Sequence, residues 1–346
     1  MKKFILGFVL ILLVVGVFAG WRLFGSATAF SGENYYLYIH NGMTYEQVLD
    51  TLKEENVLKS PAFFNFLAAR MDYPQNVRAG KYEIKRGMSL LAILRMLHNG
   101  RQVPVKIVIT KFRTLEGLAS AIGKKLECDS ADLGSYLHNN DSLQAFGLDS
   151  NTVMAMVVPN TYTYFWNTAP SGVFRKMYTA YKAWWTPDRI EAAKARGLTP
   201  VTATILASIV EEETTVEADK GKIASVYLNR MAKGIRLSAD PTIKYALRDF
   251  DLRRIYDKYL LVESPYNTYQ HEGLPPGPIC TPSEATLKDV LASPATDYLY
   301  FVAKPDFSGY SNFAATYKEH LAYAKAYRDA LDKQQAIKAG ADSLKK

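Results

Sequence analysis

The sequence predicts an α+β protein with an N-terminal transmembrane helix, a small domain of alternating strands and helices, and a mostly helical C-terminal domain with a β-hairpin. The first observation is a continuous apolar segment near the N-terminus. The second is a strand-and-helix pattern that occurs twice before residue 100. The third is a series of helix caps and apolar stripes between residues 130 and 233, followed by an aromatic hairpin. A chain of 346 residues is long enough for two domains.

The N-terminal element is the uncharged segment FILGFVLILLVVGVFAGW, Phe4–Trp21, which follows Lys2 and Lys3. Its length is near the minimum for crossing a bilayer, and Trp21 has the position of an interfacial anchor. A cleaved signal peptide is the alternative, because Ala27-Thr28-Ala29 has the small residues of a cleavage site. The segment is longer than a usual signal-peptide core, which favours a retained anchor. Since Lys2 and Lys3 stay in the cytoplasm, we expect the rest of the chain outside the inner membrane.

Residues 25–34 are mostly small or polar and predict a linker, after which Tyr35–His40 has the composition of a strand. Thr44 then caps a helix, and the same strand, turn and cap pattern returns at Ser89. A strand, a Gly-x-Ser/Thr cap and a short helix resemble the start of a LysM module, a small peptidoglycan-binding fold. A duplicated βα unit without affinity for glycan is the alternative.

The C-terminal half is predicted to be mostly helical, because caps and apolar spacing recur along it. The predicted helices are Ser130–His138, Ser171–Trp185, one that opens at Thr186, one that begins near Pro200, and Asp219–Lys233. The predicted loops are Met156–Asn167, Asp240–Thr242 and Gly273–Pro282. The segment Thr296–Phe313 has turn residues at its centre and predicts a hairpin with a buried first strand. A surface helix from Thr316 then leads into a solvated tail.

Composition excludes several classes of function. The net charge of +8 is too diffuse to indicate nucleic acid, and no Lys/Arg cluster alternates with aromatic residues as in nucleic-acid-binding proteins. The sequence has no His-Glu-x-x-His motif, spaced Cys/His set, Gly-x-Ser-x-Gly elbow or phosphate-binding glycine loop, so it predicts neither a metal site nor a cofactor. Cys128 and Cys280 could pair in an oxidising compartment or remain two buried thiols.

Three consecutive glutamates end an apolar helix in the segment ILASIVEEETTVEADKGK, Ile205–Lys222. At roughly 100° per residue the apolar side chains form one stripe, and Glu213 lies about 10° from its centre. Glu212 lies at the edge of the stripe, and Glu211 points nearly opposite. Burial without a cation raises the pKa of a carboxyl, and a carboxylic acid that stays protonated near neutral pH can act as a general acid. The alternative is that the helix frays before Glu213 and leaves all three acids in solvent.

Five motifs occur in order along the chain. They are VPNTYTY, LASIVEEET, VYLNRMAKGIRLSADPTIKYAL, PYNTYQHEGLPPGPICTP and YLYFVA. Together they resemble the endolytic murein transglycosylases, the MltG/YceG-like family, and the resemblance covers almost the entire chain. The family's catalytic residue is the second glutamate of its Ser-Ile-(Ile/Val)-Glu-x-Glu-Thr motif, which corresponds to Glu213. The first corresponds to Glu211, in a supporting role, and the middle position, commonly lysine in the family, is Glu212.

The resemblance implies an inner-membrane enzyme that cuts peptidoglycan strands internally, at the β-1,4 bond between N-acetylmuramic acid (MurNAc) and N-acetylglucosamine (GlcNAc). The products have 1,6-anhydroMurNAc ends, because the attacking oxygen is the sugar's own 6-hydroxyl. One glutamate therefore suffices, first as general acid and then as base. Further candidates for substrate binding from the matching motifs, besides Glu211, are Asn160, Tyr162, Asn229, Asp240, Thr242, Tyr245, Asn267 and Tyr269.

With the resemblance, the sequence predicts five divisions of the chain. They are 1–24, the cytoplasmic N-terminus and membrane anchor; 25–34, the linker; 35–103, the LysM-like domain; 104–335, the transglycosylase catalytic domain; and 336–346, the solvated tail. The expected partners are peptidoglycan glycan strands, the inner membrane, and the peptidoglycan synthases whose nascent strands the enzyme would terminate or trim.

Two other functions remain open at this point. A muramidase-type hydrolase of the same bond would need a second carboxylate, for which Asp240 is the best candidate, and would leave reducing ends. The alternative role for Asp240 is a cap of the turn at Pro241. A non-catalytic peptidoglycan-binding assembly factor would use the fold only as a clamp. A carboxyl on an apolar helix face, Glu213, argues against that function.

Overall fold

The computed structural model describes residues 2–343. Its helices are α1 (Lys2–Phe24), α2 (Tyr45–Glu54), α3 (Pro61–Arg70), α4 (Leu90–His98), α5 (Leu115–Gly123), α6 (Ser130–His138), α7 (Asn140–Gln144), α8 (Pro170–Trp184), α9 (Pro187–Lys194), α10 (Pro200–Glu213), α11 (Glu217–Ala232), α12 (Asp240–Ala246), α13 (Glu284–Leu291) and α14 (Tyr317–Ser343). Its strands are β1 (Asn34–Ile39), β2 (Gly80–Lys85), β3 (Val105–Ile109), β4 (Asn160–Tyr164), β5 (Tyr300–Ala303) and β6 (Ser311–Ala314). The strands form three two-stranded sheets, β1–β2, β3–β4 and β5–β6. The α+β class agrees with the prediction.

The N-terminal helix α1 differs from the transmembrane helix that the sequence predicts. A bilayer crossing needs about 20 consecutive, predominantly apolar residues in one helix. Across the residues that the structure describes, no helix meets the requirement of length together with apolarity. The transmembrane helix predicted at Phe4–Trp21 is therefore wrong.

The chain divides into two compact units. The first comprises Met1–Ile107, Ile122–Asp129 and Thr163–Pro170. The second comprises Val108–Ala121, Ser130–Tyr162 and Ser171–Lys346. The last residues of the predicted tail, 344–346, lie outside the described part of the chain.

The first unit is built on the antiparallel pair β1–β2, with α2 and α3 between the strands in sequence. Alternate strand residues such as Leu37 and Ile84 are buried against the apolar faces of α2 and α4. Both predicted caps are confirmed, because Thr44 forms a capping box at α2 and Ser89 accepts a hydrogen bond from Ala92 N at α4. Part of the predicted linker is ordered, since Ala27 is buried and its N–H donates to the Met88 carbonyl at 3.0 Å.

The second unit surrounds α10, which packs against α11, α12 and α13. Thr199 caps α10 through a capping box with Thr202, and Pro200 occupies the first turn, where its missing N–H costs nothing. All eight residues from Ala203 to Val210 are buried. A helix that is buried on every side belongs to the centre of a core, so its end is a fixed point for the groups that follow.

Other segments of the second unit differ in part from the sequence-based prediction. The predicted loop Met156–Asn167 contains strand β4. The predicted loop at Asp240 opens α12, since Pro241 is tolerated in a first helical turn. Gly273–Pro282 has no helix or strand, as predicted. The hairpin is confirmed as antiparallel β5–β6, with a first strand that is partly rather than fully buried.

Cys128 and Cys280 do not form a disulfide. The thiol of Cys128 donates to the Thr168 carbonyl at 3.3 Å, and the buried thiol of Cys280 donates to the Ser208 carbonyl at 3.5 Å. The second alternative, two separate thiols, therefore describes this chain, although Cys128 is only half-buried.

Candidate active site

The last three residues of α10 are Glu211, Glu212 and Glu213, so the helix does not fray before Glu213. Thr214 then takes an extended conformation and ends the helix. The three carboxyls leave the helix in different directions because successive residues are rotated by roughly 100°. Each of them therefore has a different environment.

Glu211 is held by the N-terminus of α13 and by a buried lysine. Its Oε2 accepts hydrogen bonds from the hydroxyls of Thr286 and of Ser283, the latter at 3.0 Å, and lies 3.4 Å from Lys220 Nζ. Burial raises the pKa of Glu211, but the hydrogen bond from Thr286, the charge of Lys220 and the hydrogen bond from Ser283 together outweigh it, so the pKa is lowered. Glu211 is an ionised carboxylate that ties α10 to its neighbours.

Glu212 is held by two cations. The guanidinium of Arg113 donates to both carboxylate oxygens, with Nη2 at 2.9 Å from Oε2, and Lys111 Nζ lies 2.7 Å from Oε1. Burial raises the pKa of Glu212, and these hydrogen bonds and charges lower it below its usual value. The family's middle position is therefore occupied here by an acid whose charge is already balanced.

Glu213 differs from both neighbours because it has no ion-pair partner among the described residues. The hydroxyl of Tyr227, a buried residue of α11, donates to its Oε2 at 3.2 Å. The residue is partly exposed, yet burial of the carboxyl raises its pKa, and the charge of Asp240 raises it further. These effects outweigh the hydrogen bond from Tyr227 and the positive charges of Lys244 and Arg230, and the pKa rises to about 7.

The second carboxyl of the site is Asp240, the exposed first residue of α12. The hydroxyl of Tyr269 donates to its Oδ1 at 2.5 Å. The negative charges of Asp240 and Glu213 both contribute to raising the pKa of Tyr269, after burial and the hydrogen bond to Asp240. Glu213, Tyr227, Asp240 and Tyr269 thus form one electrostatically coupled group.

This arrangement suits proton transfer. A carboxyl with a pKa of about 7 is protonated in roughly half of the molecules at neutral pH, so it can donate a proton and later accept one. Tyr227 orients that carboxyl, and Asp240 adds a negative charge beside it. Such a site can protonate a leaving oxygen. It can also stabilise the positive charge that develops on the group from which this oxygen departs.

Several residues that were predicted to bind substrate use their polar atoms within the protein. Asn229 Nδ2 donates to the carbonyls of Thr296 and Tyr298, both at 2.9 Å. The hydroxyl of Tyr162 donates to the Val158 carbonyl at 2.7 Å. These hydrogen bonds hold backbone segments, and a direct contact with substrate stays a prediction for both residues.

Two of the predicted residues position the Asp240–Tyr269 pair. Asn267 is buried, and its Oδ1 accepts a hydrogen bond from Tyr269 N at 3.0 Å. Thr242 is also buried in the first turn of α12, where its hydroxyl donates to the Ala239 carbonyl at 2.7 Å. Both therefore fix the backbone from which the pair extends.

The remaining predicted residues lie at other surfaces of the second unit. Asn160 and Glu211 line a groove together with residues of β3 and the loop at Thr281. Tyr245, at the far end of α12 from Asp240, lines a separate cleft with Tyr266. The structure thus associates only Asp240 and Tyr269 of the predicted set with Glu213.

Sequence analysis missed Tyr227, Arg230 and Lys244. Tyr227 and Arg230 are three residues apart on α11 and therefore share a helix face, whereas Asn229 does not lie on it. This spacing within VYLNR could have identified both residues from the sequence. Arg230 does not pair with Glu213, because its guanidinium donates to the carbonyls of Leu299 at 2.7 Å and Leu237 at 2.6 Å.

Comparison with known proteins agrees with the resemblance in the sequence. The sequence profile of the YceG-like family matches residues 37–326. The chain belongs to the YceG-like family. The endolytic murein transglycosylase of Bacillus subtilis is similar to this YceG-like chain, with 30% identity over 298 residues, 82% of this chain and 81% of the relative.

Two further matches extend the comparison. The endolytic murein transglycosylase of Streptococcus pneumoniae is 25% identical over 295 residues, and this YceG-like chain spans 53% of its length. The crystal structure of a yceG-like protein from Listeria monocytogenes has a TM-score of 0.54 and 28% identity, covering 84% of this chain and 98% of the other. The predicted family is confirmed, and so is the prediction of an enzyme, since the curated relatives are named transglycosylases.

The unequal environments of the glutamates predict stability changes of opposite sign. The pKa of Glu213 is raised in the folded state, from 4.5 to about 7, so its ionisation disfavours folding increasingly as the pH rises through this range. We expect Glu213→Gln to raise the free energy of unfolding at pH 8 by on the order of 2 kcal/mol, and to have little effect below pH 4. Denaturant titrations of both proteins at several pH values measure this difference.

Glu211→Gln is the matched control. The pKa of Glu211 is lowered in the folded state, so its ionisation contributes stability above pH 4.5 that is lost as the pH falls through the folded pKa. We expect this variant to be less stable than the wild type at pH 8, with a difference that shrinks in acid. Equal effects of the two substitutions at pH 8 would contradict the assignment of protonation states.

Proposed function

We propose that this chain is a peptidoglycan lytic transglycosylase that cleaves the MurNAc-β-1,4-GlcNAc bond within glycan strands and leaves 1,6-anhydroMurNAc ends. The observation that carries the proposal is Glu213, a carboxyl with a pKa of about 7 at the end of a buried helix, without an ion-pair partner in the described chain. The names of the similar proteins from Bacillus subtilis and Streptococcus pneumoniae supply the substrate class.

In the proposed reaction Glu213 acts twice. Protonated Glu213 first gives its proton to the glycosidic oxygen, so the bond from this oxygen to C1 of MurNAc breaks and positive charge develops on that sugar. The Glu213 carboxylate then takes the proton of the C6 hydroxyl while the C6 oxygen bonds to C1. The enzyme returns to its initial state, and no water molecule is consumed.

Tyr227 and Asp240 assist this reaction in different ways. The hydroxyl of Tyr227 donates to Oε2 of Glu213 and so fixes the carboxyl in one orientation through both proton transfers. Burial and the charge of Asp240 keep the pKa of Glu213 high, and in this proposal the same charge stabilises the positive sugar. One oxygen of Asp240 already accepts a hydrogen bond from Tyr269 at 2.5 Å, which favours an electrostatic role over attack on the sugar.

The location of the proposed substrate determines the proposed location of the enzyme. Peptidoglycan lies outside the cytoplasmic membrane, so we place the catalytic unit on that side. A cut within a nascent strand ends its extension, and the peptidoglycan synthases that extend such strands are the proposed partners.

Digestion of sacculi tests the proposed reaction. The wild-type chain is expected to release fragments with anhydro ends, and Glu213→Gln is expected to lower the rate by at least about a hundredfold because the acid and base are lost. Mass spectrometry distinguishes anhydro ends from reducing ends, which differ by one water. Reducing ends from the wild type would support the muramidase, and no release would support a binding protein.

Glu212→Gln is the control for this digestion. It makes the same change at the neighbouring residue. The carboxyl of Glu212 forms ion pairs with Lys111 and Arg113 and takes no part in the proposed reaction. Anhydro ends should still form with this variant. Loss of release in both variants would point to damage of the helix end instead of loss of the acid.

The role of Asp240 predicts a shift in the pH profile. Its charge raises the pKa of Glu213, so Asp240→Asn should lower that pKa and move the alkaline limb of kcat/KM to lower pH. The rate at the optimum should fall by about tenfold, and the ends should remain anhydro. Asp257→Asn, which removes an exposed carboxylate that is not among the main charges acting on the pKa of Glu213, should leave the limb in place. An unshifted limb in Asp240→Asn, or a total loss of bond cleavage, would contradict this role.

A further inference from the structure

A second cleft in the catalytic unit has no part in the reaction described above. It has a volume of about 330 Å³ and lies at the end of α12, between α5, α6 and the segment at residues 264–266. The residues that determine its chemistry are Glu116, His138, Asn151, Tyr245, Arg248 and Tyr266. They combine aromatic surface with charged and polar groups.

Arg248 occupies a backbone position that normally requires glycine. Its φ is +54°, and it follows α12 in a Schellman motif, with Arg248 N donating to the Tyr245 carbonyl and Asp249 N to the Lys244 carbonyl, both at 3.1 Å. An L-residue with a Cβ is strained in this left-handed conformation. A residue held in this conformation within a cleft is a candidate for a functional role of its side chain.

Other helices of the same chain use the residues that tolerate this conformation. Gly234 has φ +64° in the equivalent motif after α11, and Gly100 has φ +65° after α4. Asn56, with φ +48°, follows α2. Among these helix ends Arg248 is therefore the exception, while outside the helices Phe307 has a similar φ of +55°.

The guanidinium of Arg248 packs on an aromatic ring, but it donates no direct hydrogen bond to a described residue. It lies over the ring of Tyr245, 4.9 Å from the ring centroid, and this ring is 4.6 Å from that of Tyr266. Its nearest carboxylate oxygen among the described residues is that of Glu116 at 3.8 Å, which is beyond a direct hydrogen bond. His138 Nε2 also approaches Glu116, at 4.0 Å. The Arg248 side chain is 52% exposed and forms no direct hydrogen bond with a described residue, so its donors can bind a carboxylate of a ligand that also covers the aromatic surface.

We propose that this cleft binds the peptide stem of the peptidoglycan strand and that Arg248 pairs with a carboxylate of the stem. The ligand class rests on the proposed function. Stem peptides carry free carboxylates and small apolar side chains, which match the guanidinium and the two tyrosine rings. Asp240 and Tyr245 are five residues apart on α12, which separates them by roughly 7.5 Å along the axis and roughly 140° around it, and an extended stem of three to four residues spans roughly 10 to 14 Å.

A binding experiment with the full-length chain tests the cleft directly. The probes are a synthetic stem tripeptide with free carboxylates and the same tripeptide with its carboxyls converted to carboxamides. By calorimetry, the wild type should bind the first at least about tenfold more tightly than the second. Arg248→Gly should lose this preference, and because glycine relieves the left-handed strain, its melting temperature should equal or exceed that of the wild type.

Arg254→Ala is the matched control, because Arg254 is also exposed and lies over a tyrosine ring, that of Tyr256 at 5.4 Å. It should bind the tripeptide like the wild type. Equal binding of the two probes, no binding by the wild type, or unaltered binding by Arg248→Gly would overturn the inference. The sacculus digestion is independent, so release of anhydro ends without tripeptide binding refutes the cleft site alone, and binding without release refutes only the proposed reaction.

Discussion

The chemistry of the candidate site depends on one carboxyl, that of Glu213, which forms no ion pair with a described residue. The chain has a net charge of +8, and yet Lys244 and Arg230, the cations that lower the pKa of Glu213, form no ion pair with it. The guanidinium of Arg230 is held by two backbone carbonyls. Because burial and the charge of Asp240 outweigh these two cations, the proton of Glu213 is available near neutral pH.

The scaffold keeps this carboxyl in place through hydrogen bonds on both sides of α10. The hydroxyl of Ser208 accepts the N–H of Ile279 at 3.0 Å, so the Pro-rich loop is fixed to the buried part of the helix. Glu211 connects the end of the helix to the cap of α13 through Ser283. A site mounted on a buried helix is more rigid than one mounted on a loop, as repeated proton transfer at one position requires.

Local rules predicted much of the fold, and long-range contacts explain most of what they missed. Caps such as Thr44 and Ser89 depend on neighbouring residues, and the sequence predicts the helix that begins near Pro200 with Glu213 on its inner face. The helical periodicity did not reveal that Glu212 pairs with Lys111 and Arg113, or that Tyr227 donates to Glu213, since these partners are distant in sequence. Strand β4 was assigned to a loop because its identity depends on pairing with β3. The transmembrane interpretation of the N-terminal segment, which rests on its uncharged length and on Trp21 as an anchor, is wrong.

The central claim is that one glutamate of three is protonated near neutral pH, and carboxyl NMR tests it most directly. The protein is labelled with ¹³C at the glutamate side-chain carboxyls, and the three signals are assigned with single Glu→Gln variants and followed from pH 3 to pH 9. The account predicts that Glu213 titrates near pH 7, while Glu211 and Glu212 titrate below the ordinary value of 4.5. Titration of Glu213 at or below 4.5 would contradict it.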